Sequence, residues 1–339
     1  LLRDFYKIFF KRIIKYIMFK FNKFIFFVTL IKIVFPITIQ EVYDNASSFE
    51  GYDKYLILER NEIYTGTLGI YEGRVFIKGN GATLDLIGEG GIWIYATDDY
   101  SAHLDVEYLN IINGAYYGIS YSGSSTGKIE NCNFINNDFG LKFFDTSTVE
   151  VKNSNFIGCS TYGIGLYSLE PNIQVSYCNF WDNYAGDLQE NCPGWGNIWT
   201  PWEPIDSPGL IYSNPFLVDF ENFNYSPSEN SPCIDSGDPN QYDLDGSRRD
   251  IGAHIYLTTS IVGDCNQDLQ LNVLDIIYLV NNCILLNSEL DCDCGDMNND
   301  NTINVLDVVG IVNLILSYWF SYIIFPSFIT LTILSLPNQ

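Results

Sequence analysis

Four segments, VEYLNII (106–112), IENCNFI (129–135), VKNSNFI (151–157) and VSYCNFW (175–181), line up residue for residue. Val106, Ile129, Val151 and Val175 stand 23, 22 and 24 residues apart, and two further columns keep the same steps: Asn110, Asn133, Asn155, Asn179 and Ile111, Phe134, Phe156, Phe180. Gly118, Gly140, Gly163 and Gly186 follow and are expected to mark one bend in every turn. Short apolar runs, rich in β-branched and aromatic residues and repeated at this period, predict a solenoid whose strands stack in parallel, coil on coil. Helices need longer amphipathic runs than these. The Asn column then reads as a ladder of amides at a turn, and the Val and Phe columns as the interior stack.

Outward from the repeats, YLILERNEIYTGTLGIYEGRVFIKGNGATLDL (55–86) supplies entry strands, and SPCIDSGDPNQYDLDGSRRDIGAHIY (231–256) reads as a closing segment. Arg248 and Arg249 with Asp235, Asp238, Asp243, Asp245 and Asp250 are expected to tie that segment together. The entry stretch, the coils and the closing stretch resemble right-handed parallel β-helix proteins of the pectate-lyase-like superfamily over residues 52–256. The resemblance implies an all-β solenoid and leaves the activity open, because one fold hosts lyases, hydrolases, adhesins and proteins without catalysis.

For a polysaccharide lyase the chemistry calls for a basic side chain near a uronate; for a hydrolase it calls for paired carboxylates. Lys128, Lys142 and Lys152 are the bases expected on the coil surface, and Asp138, Asp145, Asp182 and Asp187 are among the acids. Asp187 interrupts an apolar column after Ile119, Leu141 and Ile164, so Asp182, Asp187 and Lys142 are the catalytic candidates; the alternative is a coil opening into the long loop that follows. None of them lies in a recognisable lyase or polygalacturonase motif. Trp195, Trp199 and Trp202 in CPGWGNIWTPW (192–202) read either as faces that stack on sugar rings or as a lid on the end of the stack. Extracellular polysaccharide is therefore the expected ligand, bound or broken down; a non-catalytic surface or adhesion protein is the alternative.

The C-terminal region carries a second repeat: DCNQDLQLNVLD from Asp264 and DMNNDNTINVLD from Asp296, 32 residues apart. Oxygen-bearing side chains at loop positions 1, 3, 5, 9 and 12 match the way a short loop wraps a hard cation, and the ion expected is calcium. The ligands are Asp264, Asn266, Asp268, Asn272 and Asp275 in the first loop and Asp296, Asn298, Asp300, Asn304 and Asp307 in the second. Gln270 and Thr302 serve through backbone carbonyls at position 7. Each loop runs into an apolar helical stretch. The doubled loop-plus-helix resembles the type I dockerin over residues 263–316, which implies a secreted protein docked onto a cohesin-type partner. Position 6 needs a left-handed backbone; Asn301 tolerates it and Leu269 does not, so the first of the two sites is expected to be the weaker. The resemblance implies that Val273, Leu274, Val305 and Leu306 meet the partner; their other reading is the module's own core.

Composition agrees with export. The chain has a net charge of −24, and eight of its 17 Lys and Arg lie at or before Lys32, so the remainder is an acidic body that excludes nucleic acid as a partner. Met18, Lys20 and Lys23 ahead of the apolar run Phe24–Ile39 predict a signal peptide or N-terminal membrane segment over 18–45, with 1–17 as upstream non-native sequence. The tail, 317–339, is apolar, and Leu314–Leu336 is uncharged and long enough to cross a bilayer, which reads either as a membrane anchor or as a misread gene end. Membrane contact through the termini is thus expected of a protein that is secreted or held at a bacterial cell surface. Cys132 and Cys178 fall two coils apart, about 10 Å, too far for a disulfide. Cys265, Cys283, Cys292 and Cys294 are clustered, without a pairing that spacing alone decides.

Overall fold

The structure, a computed structural model, describes residues 36–168, 171–191, 198–204, 206–257, 262–266, 271–285, 293–298, 300 and 302–324, the last eight for their backbone only. Two compact units are present, 1–241 with 248–256 and 242–247 with 257–339.

The first unit is a parallel β-solenoid of six coils, three strands to the coil. Sheet one stacks Lys54–Ile57, Gly73–Lys78, Ala102–Glu107, Thr126–Glu130, Thr148–Lys152 and Asn172–Ser176. Sheet two stacks Ile63–Thr65, Thr83–Asp85, Asn110–Ile112, Asn133–Ile135, Asn155–Ile157 and Asn179–Trp181. Sheet three stacks Leu68–Ile70, Ile92–Ala96, Ile119–Gly123, Phe139–Phe143, Tyr162–Leu166 and Gly186–Asn191, and Trp199–Pro201 adds to it antiparallel.

Period-2 alternation puts one face of each strand inside. Leu56, Ile77, Val106, Ile129, Val151 and Val175 form one unbroken internal column, in register from coil to coil. Tyr64, Leu84, Ile111, Phe134, Phe156 and Phe180 form a second. The three phenyl rings stack with centroids 5.0 Å apart and are at most 1% exposed. That spacing is the coil rise itself, so the fourth, fifth and sixth coils meet one another with the same ring-on-ring contact.

The amide ladder runs as expected at the start of sheet two. Asn133 Nδ2 donates to Asn110 Oδ1 (2.8 Å), Asn155 to Asn133 (2.9 Å) and Asn179 to Asn155 (3.1 Å). All four are buried, and a buried primary amide is tolerable only because each coil supplies the next one's partner. The bends lie on either side of the sheet-two strands. Tyr108, Asn131, Asn153 and Tyr177 precede them, and Asn113, Asn136, Gly158 and Asp182 follow, all at φ between 50° and 61°. The glycine column is not a set of bends, contrary to the sequence expectation. Gly118, Gly140 and Gly163 lie at the foot of the phenyl stack, where an added Cβ would come within 2.8, 2.6 and 2.9 Å of Phe134, Phe156 and Phe180 Cδ1. They are glycine to make room for the rings.

At the N-terminal end, helix α1 (Ile39–Asn45) is closed by a capping box between Thr38 and Glu41 and buries Ile39 fully in the solenoid core. Lys54 Nζ meets the carbonyls of Asp44 (3.1 Å) and Ala46 (3.0 Å) at its far end. The segment 18–45 therefore cannot be a leader throughout: its last residues belong to the β-helix unit, and the remainder, like residues 1–17, lies outside the described residues. At the other end, the closing segment lies along the ladder: Asn131 Nδ2 donates to the Asp250 and Gly252 carbonyls, Asn155 to that of Ile251, and Asn110 Nδ2 is 2.9 Å from His254 Nε2. Asp250 ties the segment to itself, accepting from the Asp235 and Tyr256 amides. A hairpin, Leu217–Asp219 with Asn224–Pro227, covers the outer face of sheet two at Ile112, Ile135 and Ile157. Cys132, Cys159, Cys178 and Cys233 are buried free thiols.

The second unit packs helix α2 (Val273–Tyr278), a wider continuation over Leu279–Leu285, and helix α3 (Val305–Ile324) around Cys265, Leu279, Cys283 and Ile311. Helix α3 runs past the boundary expected at 316. Cys265 and Cys294 form a disulfide, Cα to Cα 5.3 Å, and Cys283 is also disulfide-bonded. No helix among the described residues is long and apolar enough to cross a membrane; residues 325–339 of the expected tail lie outside them.

Candidate functional site

Sheet three carries an aromatic outer face. Outward positions along it hold Tyr71, Trp93, Tyr95, Phe139, Phe144, Tyr162 and Tyr167, and the antiparallel strand adds Trp199. Trp93 contacts Tyr71 (5.7 Å) and Tyr95 (5.8 Å), while Trp199 contacts Phe139 (5.6 Å), Tyr162 (5.0 Å) and Tyr167 (6.0 Å). Two glycines let rings lie over the sheet: a Cβ on Gly69 would strike Tyr71, and one on Gly165 would strike Phe139 and then Trp199. Tyr71, Trp93, Tyr95 and Tyr167 remain exposed.

Lys142 lies within this face. Its Nζ is 4.1 Å from the Phe139 ring centroid, 5.4 Å from that of Tyr167 and 5.6 Å from that of Phe144. Burial pushes its pKa down, and the nearby Asp138 partly offsets this. The rings hold the ammonium by cation–π attraction. The other two catalytic candidates do not join it. Asp182 occupies the left-handed bend that Asn113, Asn136 and Gly158 occupy in earlier coils, a position Asp tolerates for backbone reasons. Asp187 does not break the apolar column: Leu188, buried, pairs with Ile164, and Asp187 Oδ1 accepts from Asn183 Nδ2 at 2.8 Å. Of the three tryptophans, Trp199 joins the aromatic face and Trp202 packs against the solenoid core as part of its lid; Trp195 lies outside the described residues.

Sheet one shows an outer face of a different kind, built from the positions between its internal columns. Lys128 pairs with Glu130 (2.5 Å), and Lys152 with Glu150 (3.0 Å) and Asp238 (3.2 Å). Glu107 and Glu130 are register neighbours. Burial raises the pKa of Glu107, with Lys78 opposing and Glu130 adding to the rise. Burial acts on Glu130 too, but hydrogen bonds from Lys128 and Gln241 outweigh it and hold its carboxyl low. On the same face are His103, Asp105 and Tyr52, which sequence reasoning passed over. Of the three, only Asp105 stands beside a residue of the first column, where polar residues recur in the later coils; no local pattern marks His103 or Tyr52.

In the second unit the two loops end alike. Asp275, fully buried, accepts from the Asn272 amide (2.7 Å) and the Asn266 amide (3.3 Å); Asp307, equally buried, accepts from Asn304 (2.8 Å) and Met297 (3.0 Å). Asn272 and Asn304 cap the helices that follow through the Leu274 and Leu306 amides. In the second loop, Asp296, Asn298 and Asp300 turn their oxygens onto the loop's own amides. Asp264 is buried and Thr302 exposed, while Asp268, Gln270, Leu269 and Asn301 lie outside the described residues. Among the described residues, no three His, Cys, Asp or Glu side chains gather into a metal-holding group. The donors that are described are hard oxygens, which suit calcium better than a softer ion. Val273 and Leu274 are 59% and 52% exposed, Val305 and Leu306 67% and 63%; within this unit they are surface, and the core is made by other residues.

Residues 37–192 match the family model described as the right handed beta helix region. No curated protein matches the chain. With the coils, the ladder and the match in agreement, the first unit is a right-handed parallel β-helix.

Proposed function

We propose that the β-helix binds an extracellular polysaccharide along the outer face of sheet three. The observation that carries this is two groups of rings on that face, Tyr71, Trp93 and Tyr95 in one and Phe139, Tyr162, Tyr167 and Trp199 in the other, with the coil of Ser120 and Ser122 between them, since partly exposed aromatic faces suit the apolar faces of sugar rings, and two groups along one face suit a polymer. The reading is one of binding, not of cleavage: Asp182 sits in a left-handed bend and Asp187 is tied to the Asn183 side chain, leaving Lys142 without an acid partner among the catalytic candidates. It also keeps the β-helix compatible with non-catalytic display at a cell surface. The test is affinity electrophoresis of the full chain on a panel of neutral and acidic polysaccharides, with Trp93→Ala and Trp199→Ala. Retardation by one or more polymers, weakened by both substitutions, is the expected result; retention unchanged by either overturns the reading.

The C-terminal unit we read as a calcium-loaded docking module for a cohesin-type partner, with the paired exposed residues Val273-Leu274 and Val305-Leu306 as its recognition surface. The matching environments of Asp275 and Asp307 and the exposure of all four apolar residues support this. Calcium neutralises loop carboxylates that otherwise repel one another. Calorimetry of the full chain should give two calcium sites of unequal affinity, reduced to one in Asp307→Ala; heat that is unchanged by that substitution contradicts it.

A further inference from the structure

A hydroxyl, an imidazole and a carboxylate are in line on the outer face of sheet one, a different sheet from the one invoked for glycan binding. Thr126 and His103 are neighbours on adjacent coils, and His103 and Asp105 are two apart on one strand, so all three side chains leave the same face. His103 Nδ1 is 2.7 Å from Thr126 Oγ1. His103 Nε2 stands 2.9 Å from Asp105 Oδ2, with its N–H angled off that line. Tyr52 donates to the same carboxylate oxygen at 2.5 Å and so fixes it from the far side. Thr126 is exposed, His103 and Asp105 are mostly covered. The order from solvent inward is thus nucleophile, base, acid.

We propose that Thr126, His103 and Asp105 form a nucleophilic centre that transfers the acyl group of an ester. Asp105 favours the tautomer with the proton on Nε2, which leaves the Nδ1 lone pair facing the Thr126 hydroxyl. In the first half-reaction Thr126 Oγ bonds to the acyl carbon while its proton moves to Nδ1. The bond from that carbon to the alcohol oxygen breaks, and the alcohol leaves with the proton from His103. Water then adds to the acyl-threonine with the same base, releasing the carboxylic acid and restoring the hydroxyl. Because Thr126 stands on an open sheet face, the ester it meets is a small acyl group carried on the outside of a larger molecule, such as an O-acetyl group on a glycan. Asp105 is a positioning residue here; its carboxyl is held low because the Tyr52 hydroxyl and the adjacent His103 outweigh its burial.

The experiment uses the full chain with 4-methylumbelliferyl acetate, following both release of the fluorophore and acetyl transfer to protein by mass spectrometry of the acid-quenched enzyme. Acetyl should appear on the peptide holding Thr126. Thr126→Val and His103→Ala should each slow turnover on the order of a hundredfold, whereas Thr126→Ser keeps both the label and the rate. Asp105→Asn should lower kcat with KM little changed, and Asp105→Glu should recover part of it, a rescue that a purely structural role would not produce. Circular dichroism of each variant checks that the coils persist. Equal rates in the wild type and Thr126→Val, or label on another residue only, overturn the proposal. So does the absence of any turnover by the wild type of this ester and of an acetylated xylan alike.

Discussion

Asn133 occupies the middle rung of the amide ladder, giving a hydrogen to Asn110 and taking one from Asn155. Alanine there removes both bonds inside a closed core. We expect a loss of about 2–4 kcal/mol, the cost of leaving buried partners unmade, read from urea unfolding. His254 makes a second prediction. Burial, with the charge of Arg60, depresses its pKa to about 4, and its Nε2 faces an amide donor, Asn110 Nδ2, so the folded chain keeps the ring neutral. The unfolded chain protonates near the ordinary value. The contribution is therefore complete above about pH 6.5 and is lost as the pH falls toward about 4, below which it changes no further; the total is about 3 kcal/mol. His254→Gln should remove that part of the acid dependence, seen by comparing unfolding midpoints at pH 7 and pH 4. An equal slope in both proteins would refute it.

At the scale of the strand and coil, Gly140 shows how one column dictates another. Its missing Cβ leaves room for Phe156, and alanine would place an atom 2.6 Å from both Phe156 Cδ1 and the Gly163 carbonyl. Gly140→Ala should lower stability by about 1–3 kcal/mol through overpacking, measured as a drop in Tm, with the Phe contacts of the neighbouring coils disturbed first. The sheet-two strands and the first internal column were legible in the sequence because each coil repeats them without insertion. Sheet three was less so. Phe156 to Phe180 and Ile164 to Leu188 are both 24 residues, but Gly163 to Gly186 is 23, so matching glycines shifted Asp187 into a column that belongs to Leu188. The outer faces were harder still: Thr126, His103 and Asp105 meet only when two coils are laid in register, and a local pattern carries no such information. In the two acidic loops, by contrast, the repeat is one of local spacing, and the symmetry of Asp275 and Asp307 could be read directly.

For the whole molecule, the feature with the widest consequence is the cap made by helix α1 and its Lys54 contacts. The strand Lys54–Ile57 has a partner coil on one side only, so without the cap it would offer an unpaired edge backed by an apolar cross-section. A solenoid so exposed is a template on which another copy can grow, because every coil already fits the next. A chain beginning at Phe49 should therefore pair with a second copy through that one open end, since Trp202 and Leu210 cover the other, and sediment as a dimer while the full chain stays monomeric; a monomeric truncated chain would contradict this. Seven helical residues thus act as a stopper, keeping the apolar end of one solenoid from the end of another.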